Sequence, residues 1–268
     1  MKKERIDVLL TQLGYFDSRE SAKRSIMAGL VLVDQQRIDK PGEKVPVESQ
    51  ITVKGNACPY VSRGGFKLEK AIKVFNIDLT NKIILDIGAS TGGFTDCALQ
   101  NGAKLSYAVD VGYNQLDWKI RQDERVICME RTNFRYMTLE NLTHGIPEFA
   151  CIDVSFISLK IIFPVLKQLL AKNGEIVALI KPQFEAGKDQ VGKKGIVRDS
   201  KVHTKVIEDI LNFVTALELS VLGLTYSPIK GGEGNIEFLV HIGNYENMQT
   251  NIHEKEIAQV VAEAHSQL

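Results

Sequence analysis

From about residue 62 onward one pattern repeats: an apolar run of strand length, a polar or glycine-containing break, then an amphipathic stretch of helix length. The runs cover residues 83–87, 105–110, 126–129, 149–153, 176–181 and 221–225, with a last one at 236–242 after a glycine-rich turn. Helical spacing fills residues 94–99, 116–120, 159–170 and 202–217. Ile257, Val260, Val261 and Ala264 mark a final helix to which only packing is assigned. Strands alternating with helices predict an α/β fold on a largely parallel, doubly wound sheet.

Ligands of such sheets gather beyond the carboxyl ends of the strands, so polar residues that end apolar runs carry most weight. The first run leads into Asp86-Ile-Gly-Ala-Ser-Thr-Gly-Gly-Phe-Thr95, a strand, a glycine loop and a helix start. Gly88, Gly92 and Gly93 let backbone approach a ligand without a Cβ in the way, and Ala89, Ser90, Thr91 and Phe94 complete the loop. The spacing is not G-x-G-x-x-G and lacks the P-loop lysine, which lowers the dinucleotide and nucleoside-triphosphate readings; a purely structural turn stays open. The second run ends at Asp110, where a carboxylate can accept hydrogen bonds from two ribose hydroxyls. Asp153 and Lys181 end the fourth and fifth runs, Glu237 lies inside the last, and Lys67 opens a helix before the first. Each alone reads as a surface charge or a salt bridge, but ionised groups are seldom set along apolar runs unless paired.

The 33 Lys and Arg balance 33 Asp and Glu, a formal net charge of zero that argues against a uniformly basic nucleic-acid coat. Residues 1–70 nonetheless hold 13 basic against 9 acidic side chains, leaving 20 against 24 for the remainder, so the zero is a cancellation of +4 and −4. In the basic segment Ile6, Leu9, Leu10 and Leu13 recur at helical intervals before Gly14. Ser18 caps a second helix that ends at Gly29 and turns Ala22 and Ile26 inward. Arg19, Lys23 and Arg24 fall on or near its exposed face, which from pattern alone is a solvated face or a binding face. Residues 30–33 and 51–53 have the composition of short strands.

The charged start Met1-Lys2-Lys3-Glu4-Arg5 does not fit a secretory signal, and Lys160, Pro164 and Lys167 interrupt the most apolar stretch. Of the four cysteines, Cys97, Cys128 and Cys151 sit inside apolar runs and are expected to be small buried side chains, as in a reducing cytosol. With Cys58 they form no C-x-x-C pair, and no zinc or other metal is expected.

Residues 4–54, which carry the phrase "RIDVLLTQLGYFDSRESAKRSIMAGLVLVD", resemble the alpha-L RNA-binding motif. Lys67, Asp153, Lys181 and Glu237 match, in order and setting, the Lys-Asp-Lys-Glu tetrad of FtsJ-type ribose 2′-O-methyltransferases. With "VSRGGFKL", "DIGASTGGFTD", "DVSFISL", "LIKPQFE" and "GGEGNIE" in sequence, the whole chain resembles the TlyA family of ribosomal RNA methyltransferases, often labelled hemolysins.

That resemblance implies a class I, Rossmann-like S-adenosylmethionine methyltransferase domain at 59–268 behind a small α+β RNA-binding domain at 1–58. It implies S-adenosylmethionine held by Asp86, the loop 88–94, Asp110 on the ribose and Asn133 at the adenine edge, although an exposed loop asparagine reads equally well as unassigned. Arg5, Arg19, Lys23, Arg24 and Arg63 would grip RNA; the runner-up for the first domain is protein docking. The target would be ribosomal RNA or ribosomal subunits in the cytoplasm, with cytidine as the nucleoside and no membrane involved. In that chemistry Lys181 is the candidate base, Asp153 and Glu237 orient it, and Lys67 positions the target ribose. Crowding by Lys67 and the sulfonium favours a neutral Lys181, while the two acids oppose this. Residues 182–200 read as a lid, a phosphate-binding segment or a loop without a role. The competing functions are a membrane-active hemolysin and a non-catalytic RNA-binding assembly factor.

Overall fold

The computed structural model describes residues 3–16, 18–54, 58–231, 234–245 and 252–268. Met1 and Lys2 of the charged start, and Gly232 and Glu233 of the glycine-rich turn, lie outside the described residues. The chain divides into two compact units, Met1–Gly65 and Phe66–Leu268.

The first unit runs β1 (Lys3–Arg5), α1 (Ile6–Gln12), α2 (Arg19–Met27), β2 (Val31–Val33), β3 (Gln36–Ile38), β4 (Lys44–Pro46) and β5 (Ile51–Val53). The Ser18 hydroxyl caps α2 by accepting the Ser21 N–H, and Gly29 leaves the helix at φ +73°. Ile6, Leu9, Leu10, Ala22 and Ile26 join Val31 in the small core, as the helical spacing predicts, but Leu13 of the same spacing is exposed because it lies past the last residue of α1. Asp34 and Gln35 both take positive φ, the two-residue turn whose twist suits a tight β2–β3 hairpin. The pair β1–β4 was not visible in the sequence, because Lys-Glu-Arg has no apolar alternation to announce it.

The second unit takes in α3 (Gly65–Phe75) from its second residue on, then β6 (Ile83–Ile87), α4 (Gly93–Gln100), β7 (Leu105–Val109), α5 (Trp118–Arg121), β8 (Val126–Met129) and β9 (Phe149–Ile152). There follow α6 (Leu159–Leu169), β10 (Glu175–Ile180), α7 (Pro182–Glu185), α8 (Ser200–Ala216), β11 (Ser220–Tyr226), β12 (Phe238–Gly243) and α9 (Glu254–Gln267). The seven strands lie in the order β11-β12-β10-β9-β6-β7-β8. All are parallel except β12, which inserts antiparallel between β10 and β11. Strand order reverses between β6 and β9, the switch point at which a crevice opens for a ligand. Inserting β12 in reverse places its start, rather than its end, at the same rim: Phe238 pairs with Ile180, so Glu237 and Lys181 emerge together.

Cys58, Cys97 and Cys151 are buried, but Cys128 is exposed, contrary to expectation. It lies on β8, the edge strand, and its sulfur faces the Arg121 guanidinium instead of the core. Among the described residues no helix is long and apolar enough to cross a membrane.

Candidate active site

Gly88 crosses the mouth of the sheet at φ +85°, and a Cβ there would stand 2.7 Å from the Asp153 carbonyl oxygen. Only glycine lets the first loop pass this close to the end of β9. Gly92, at φ +91°, is the N-cap of α4, and a Cβ would press on Leu116 and Ile120. Beneath the loop Asp86 is fully buried, and its Oδ2 accepts from Thr95 N at 3.0 Å and Thr95 Oγ1 at 2.7 Å. Burial pushes its carboxyl up to about 7 despite those bonds. Asp86 therefore anchors the loop from below and is not among the residues that line the cavity.

A cavity of about 830 Å³ opens at the switch point. Of the ten cofactor positions read from the sequence, Gly88, Ser90, Asp110 and Asn133 line it. Ala89, Thr91, Gly92, Gly93 and Phe94 complete the turn and are not among the lining residues. Asp110 accepts from Ser90 N at 2.8 Å and Gly112 N at 2.7 Å, so both oxygens are fixed while lone pairs remain for a ligand. Asn133 Oδ1 accepts from Arg135 N at 3.2 Å and so caps a short 3-10 turn, Phe134–Tyr136. Gln115, Thr132, Arg135, Ser155 and Phe156 also line the cavity and were not foreseen. Ser155 and Phe156 sit in the same run as Asp153, and proximity to a strand end was the signal that could have found them. Phe156 is 90% exposed at φ +63°, with its ring 5.0 Å from that of Phe184 on the cavity wall.

The four charged residues from four separate stretches meet. Lys67 Nζ lies 2.8 Å from Glu237 Oε2 and 3.1 Å from Asp153 Oδ2, and Lys181 Nζ lies 2.5 Å from Asp153 Oδ1. Lys181 also donates to Ser155 Oγ at 3.2 Å. Burial disfavours the Lys67 ammonium, but Asp153 and Glu237 outweigh it and its proton is held more firmly than in an ordinary lysine. Burial likewise works against the Asp153 carboxylate, and the two ammonium groups hold it well below the usual carboxylate range. Glu237 packs on Gly231, where a Cβ would collide with Oε1. One expected pairing changes: the ion pairs connect Glu237 to Lys67, and Asp153 is the carboxylate shared by both lysines.

In the first unit Arg5 and Arg19 converge on Asp7, at 2.9 Å and 2.8 Å, and the Asp7 side chain is fully buried. Burial opposes its ionisation, but the two guanidiniums bring it down to about 2. Lys23 pairs with Glu20 at 2.8 Å, while Arg24 and Arg63 are half-buried. The basic face is thus partly internal framework.

The order of the sheet, the glycine loop and the buried Lys-Asp-Lys-Glu cluster define an S-adenosylmethionine-dependent methyltransferase, and residues 60–244 match the FtsJ-like methyltransferase family. Residues 4–51 match the S4 domain. YqxC of Bacillus subtilis is 60% identical over 100% of this chain and 96% of its own length. The 16S/23S rRNA (cytidine-2′-O)-methyltransferase TlyA of Mycobacterium tuberculosis is 38% identical over 89% of each chain. A solved structure from Streptococcus thermophilus that carries the hemolysin name superposes with a TM-score of 0.80 at 54% identity, over 100% of this chain and 97% of that one. The chain belongs to the TlyA family of FtsJ-like methyltransferases.

Proposed function

We propose that the protein methylates a ribose 2′-hydroxyl of ribosomal RNA, with cytidine as the target nucleoside, in the cytoplasm. The observation that carries this reading is Asp153, which belongs at once to the cavity wall and to the buried charge cluster. The cofactor fits the site: Gly88 and Ser90 line the cavity beside Asp110, and the fixed Asp110 carboxylate has lone pairs left for ribose hydroxyls. Bound there, S-adenosylmethionine supplies an electrophilic methyl group on a positive sulfur.

The residues divide the remaining work. Lys67, held charged between two carboxylates, is a poor base and a good anchor for the target ribose or its phosphate. Lys181 is left to accept the 2′-hydroxyl proton, and its amine is held by Asp153 and Ser155, both on the cavity wall. Phe156 offers a stacking face for a base drawn out of folded RNA. In the first unit Asp7 prearranges Arg5 and Arg19, which remain 44% and 50% exposed, so that little freedom is lost when they meet phosphates. Lys23, Arg24 and Arg63 extend that surface.

Transfer of labelled methyl from S-adenosylmethionine to ribosomal RNA or subunits, followed by mass-spectrometric mapping, tests the reading. A 2′-O-methylcytidine is the expected product. No incorporation into naked or assembled RNA overturns it.

A further inference from the structure

Between α7 and α8 the chain carries Lys188, Lys193, Lys194 and Arg198, all exposed, against Asp189 alone among its acids to residue 198. The segment starts six residues after Lys181 and is not a free loop. Asn235, 3% exposed, fastens its far end: Val197 N donates to Asn235 Oδ1 at 3.0 Å, and Asn235 Nδ2 donates to Gly195 O at 2.9 Å. The Asn235 carbonyl accepts from Gly231 N at 2.9 Å, and Gly231 is the residue on which the Glu237 carboxylate packs. Val197 is itself buried, and its carbonyl is bonded to His203 of α8 at 3.2 Å. Lys194 is held at φ +65°, a left-handed conformation that a lysine keeps only where its surroundings impose it.

We propose that residues 187–197 form a strap that binds RNA phosphates, and that Asn235 is the positioning residue that fastens this strap to the turn carrying Glu237. The strap's role rests on the proposed RNA methylation and extends it. The Asn235 side-chain amide holds two backbone groups of the strap, and the backbone carbonyl of the same residue holds the glycine under Glu237. RNA that seats on Lys193 and Lys194 then bears on Asn235, two residues before the Glu237 that pairs with Lys67. Asn235 touches neither RNA nor cofactor in this scheme. Its effect passes through Glu237.

The test compares Asn235→Ala, Asn235→Asp, the double variant Lys193→Ala/Lys194→Ala and the combination of that double variant with Asn235→Ala, each as the full chain. The readouts are the salt dependence of ribosomal RNA binding, single-turnover methyl transfer, affinity for S-adenosylhomocysteine and thermal unfolding. The lysine variant should flatten the plot of log affinity against log salt by roughly 0.7–0.9 for each phosphate it no longer neutralises. Asn235→Ala should flatten it to a similar extent and slow transfer by about tenfold or more, with cofactor-product affinity within about twofold of wild type. The combined variant should show no further flattening, because the two changes remove one interaction. Asn235→Asp, which keeps the acceptor for Val197 and removes the donor to Gly195, should fall between. A lysine variant with an unchanged slope overturns the strap, and additive effects in the combined variant overturn the fastening. The salt slope is read without any methylation, so failure of the methyltransferase reading leaves these outcomes distinct.

Discussion

Lys67 Nζ and Glu237 Oε2 stand 2.8 Å apart with neither side chain more than one-tenth exposed, a buried ion pair between positions 170 residues apart in sequence. Removing one member of such a pair strands the other charge in a poorly solvated place, at a cost of about 3–5 kcal/mol. Asp153 also bonds Lys67, so removing Glu237 should cost less than removing Lys67. Urea unfolding of Glu237→Ala and Lys67→Ala should rank them in that order, with Glu237→Gln milder than either. Equal stability of all three with wild type would contradict the buried pairing.

Among the described residues Lys181 differs from Lys67 in having one carboxylate partner, itself shared. If Lys181 accepts the proton, Lys181→Ala should slow single-turnover transfer by about 10²–10⁴-fold under saturating RNA and cofactor. Affinity for S-adenosylhomocysteine should stay near wild type. Near-normal transfer by Lys181→Ala removes the base assignment.

The rim of the sheet was legible because ionisable residues at the ends of apolar runs have few uses. Asp110, Asp153 and Lys181 each follow a strand directly, and Glu237 precedes one. What sequence could not give was who pairs with whom. That depends on the reversed insertion of β12, which no local pattern announces, and it turned Glu237 from an expected partner of Lys181 into the holder of Lys67. The glycine loop was likewise legible as a loop, yet the distinction between Asp86 beneath it and Ser90 on its inner surface required depth, a quantity that spacing does not contain. Arg5 and Arg19 showed their charge in sequence but not the buried Asp7 between them, because Asp7 sits at a helix start where an acid is commonplace.

Asp110 is fixed by Ser90 N and Gly112 N, so it joins the first and second loops as well as presenting oxygens to the cavity. Asp110→Ala should weaken S-adenosylhomocysteine binding by about 10–100-fold, the reduction expected for charge-assisted hydrogen bonds. Gly88→Ala should weaken it too, since the added Cβ would meet the Asp153 carbonyl. Calorimetry provides the affinities; an Asp110→Ala protein that binds like wild type would remove this residue from the cofactor site.

Phe156 exposes nearly its whole side chain at positive φ, a costly arrangement for an aromatic residue with no interior to fill. As a stacking face for the target base, its truncation to alanine should cost about 1–3 kcal/mol in RNA complex formation or transfer, with Phe156→Tyr retaining most of the activity. Unfolding experiments should show Phe156→Ala no less stable than wild type. Full activity of the alanine variant would exclude the stacking role.

His203 lies buried in the first turn of α8, with Nδ1 3.0 Å from His265 Nε2 of α9 and Nε2 bonded to the Val197 carbonyl. Burial, helped by the neighbouring His265, lowers its pKa to about 4 from the ordinary 6.5. Between those values the unfolded chain binds a proton that the folded chain refuses, so this residue's contribution to stability is intact above about pH 6.5 and is lost as pH falls toward 4. Other groups titrate in the same window, among them Asp86, whose raised pKa acts in the opposite sense. Comparison with His203→Asn cancels them, because they are common to both proteins. The destabilisation caused by His203→Asn should be largest at neutral pH and shrink as pH is lowered toward about 4. A penalty independent of pH, measured by urea midpoints across that range, would show that His203 is not held neutral against protonation by its surroundings.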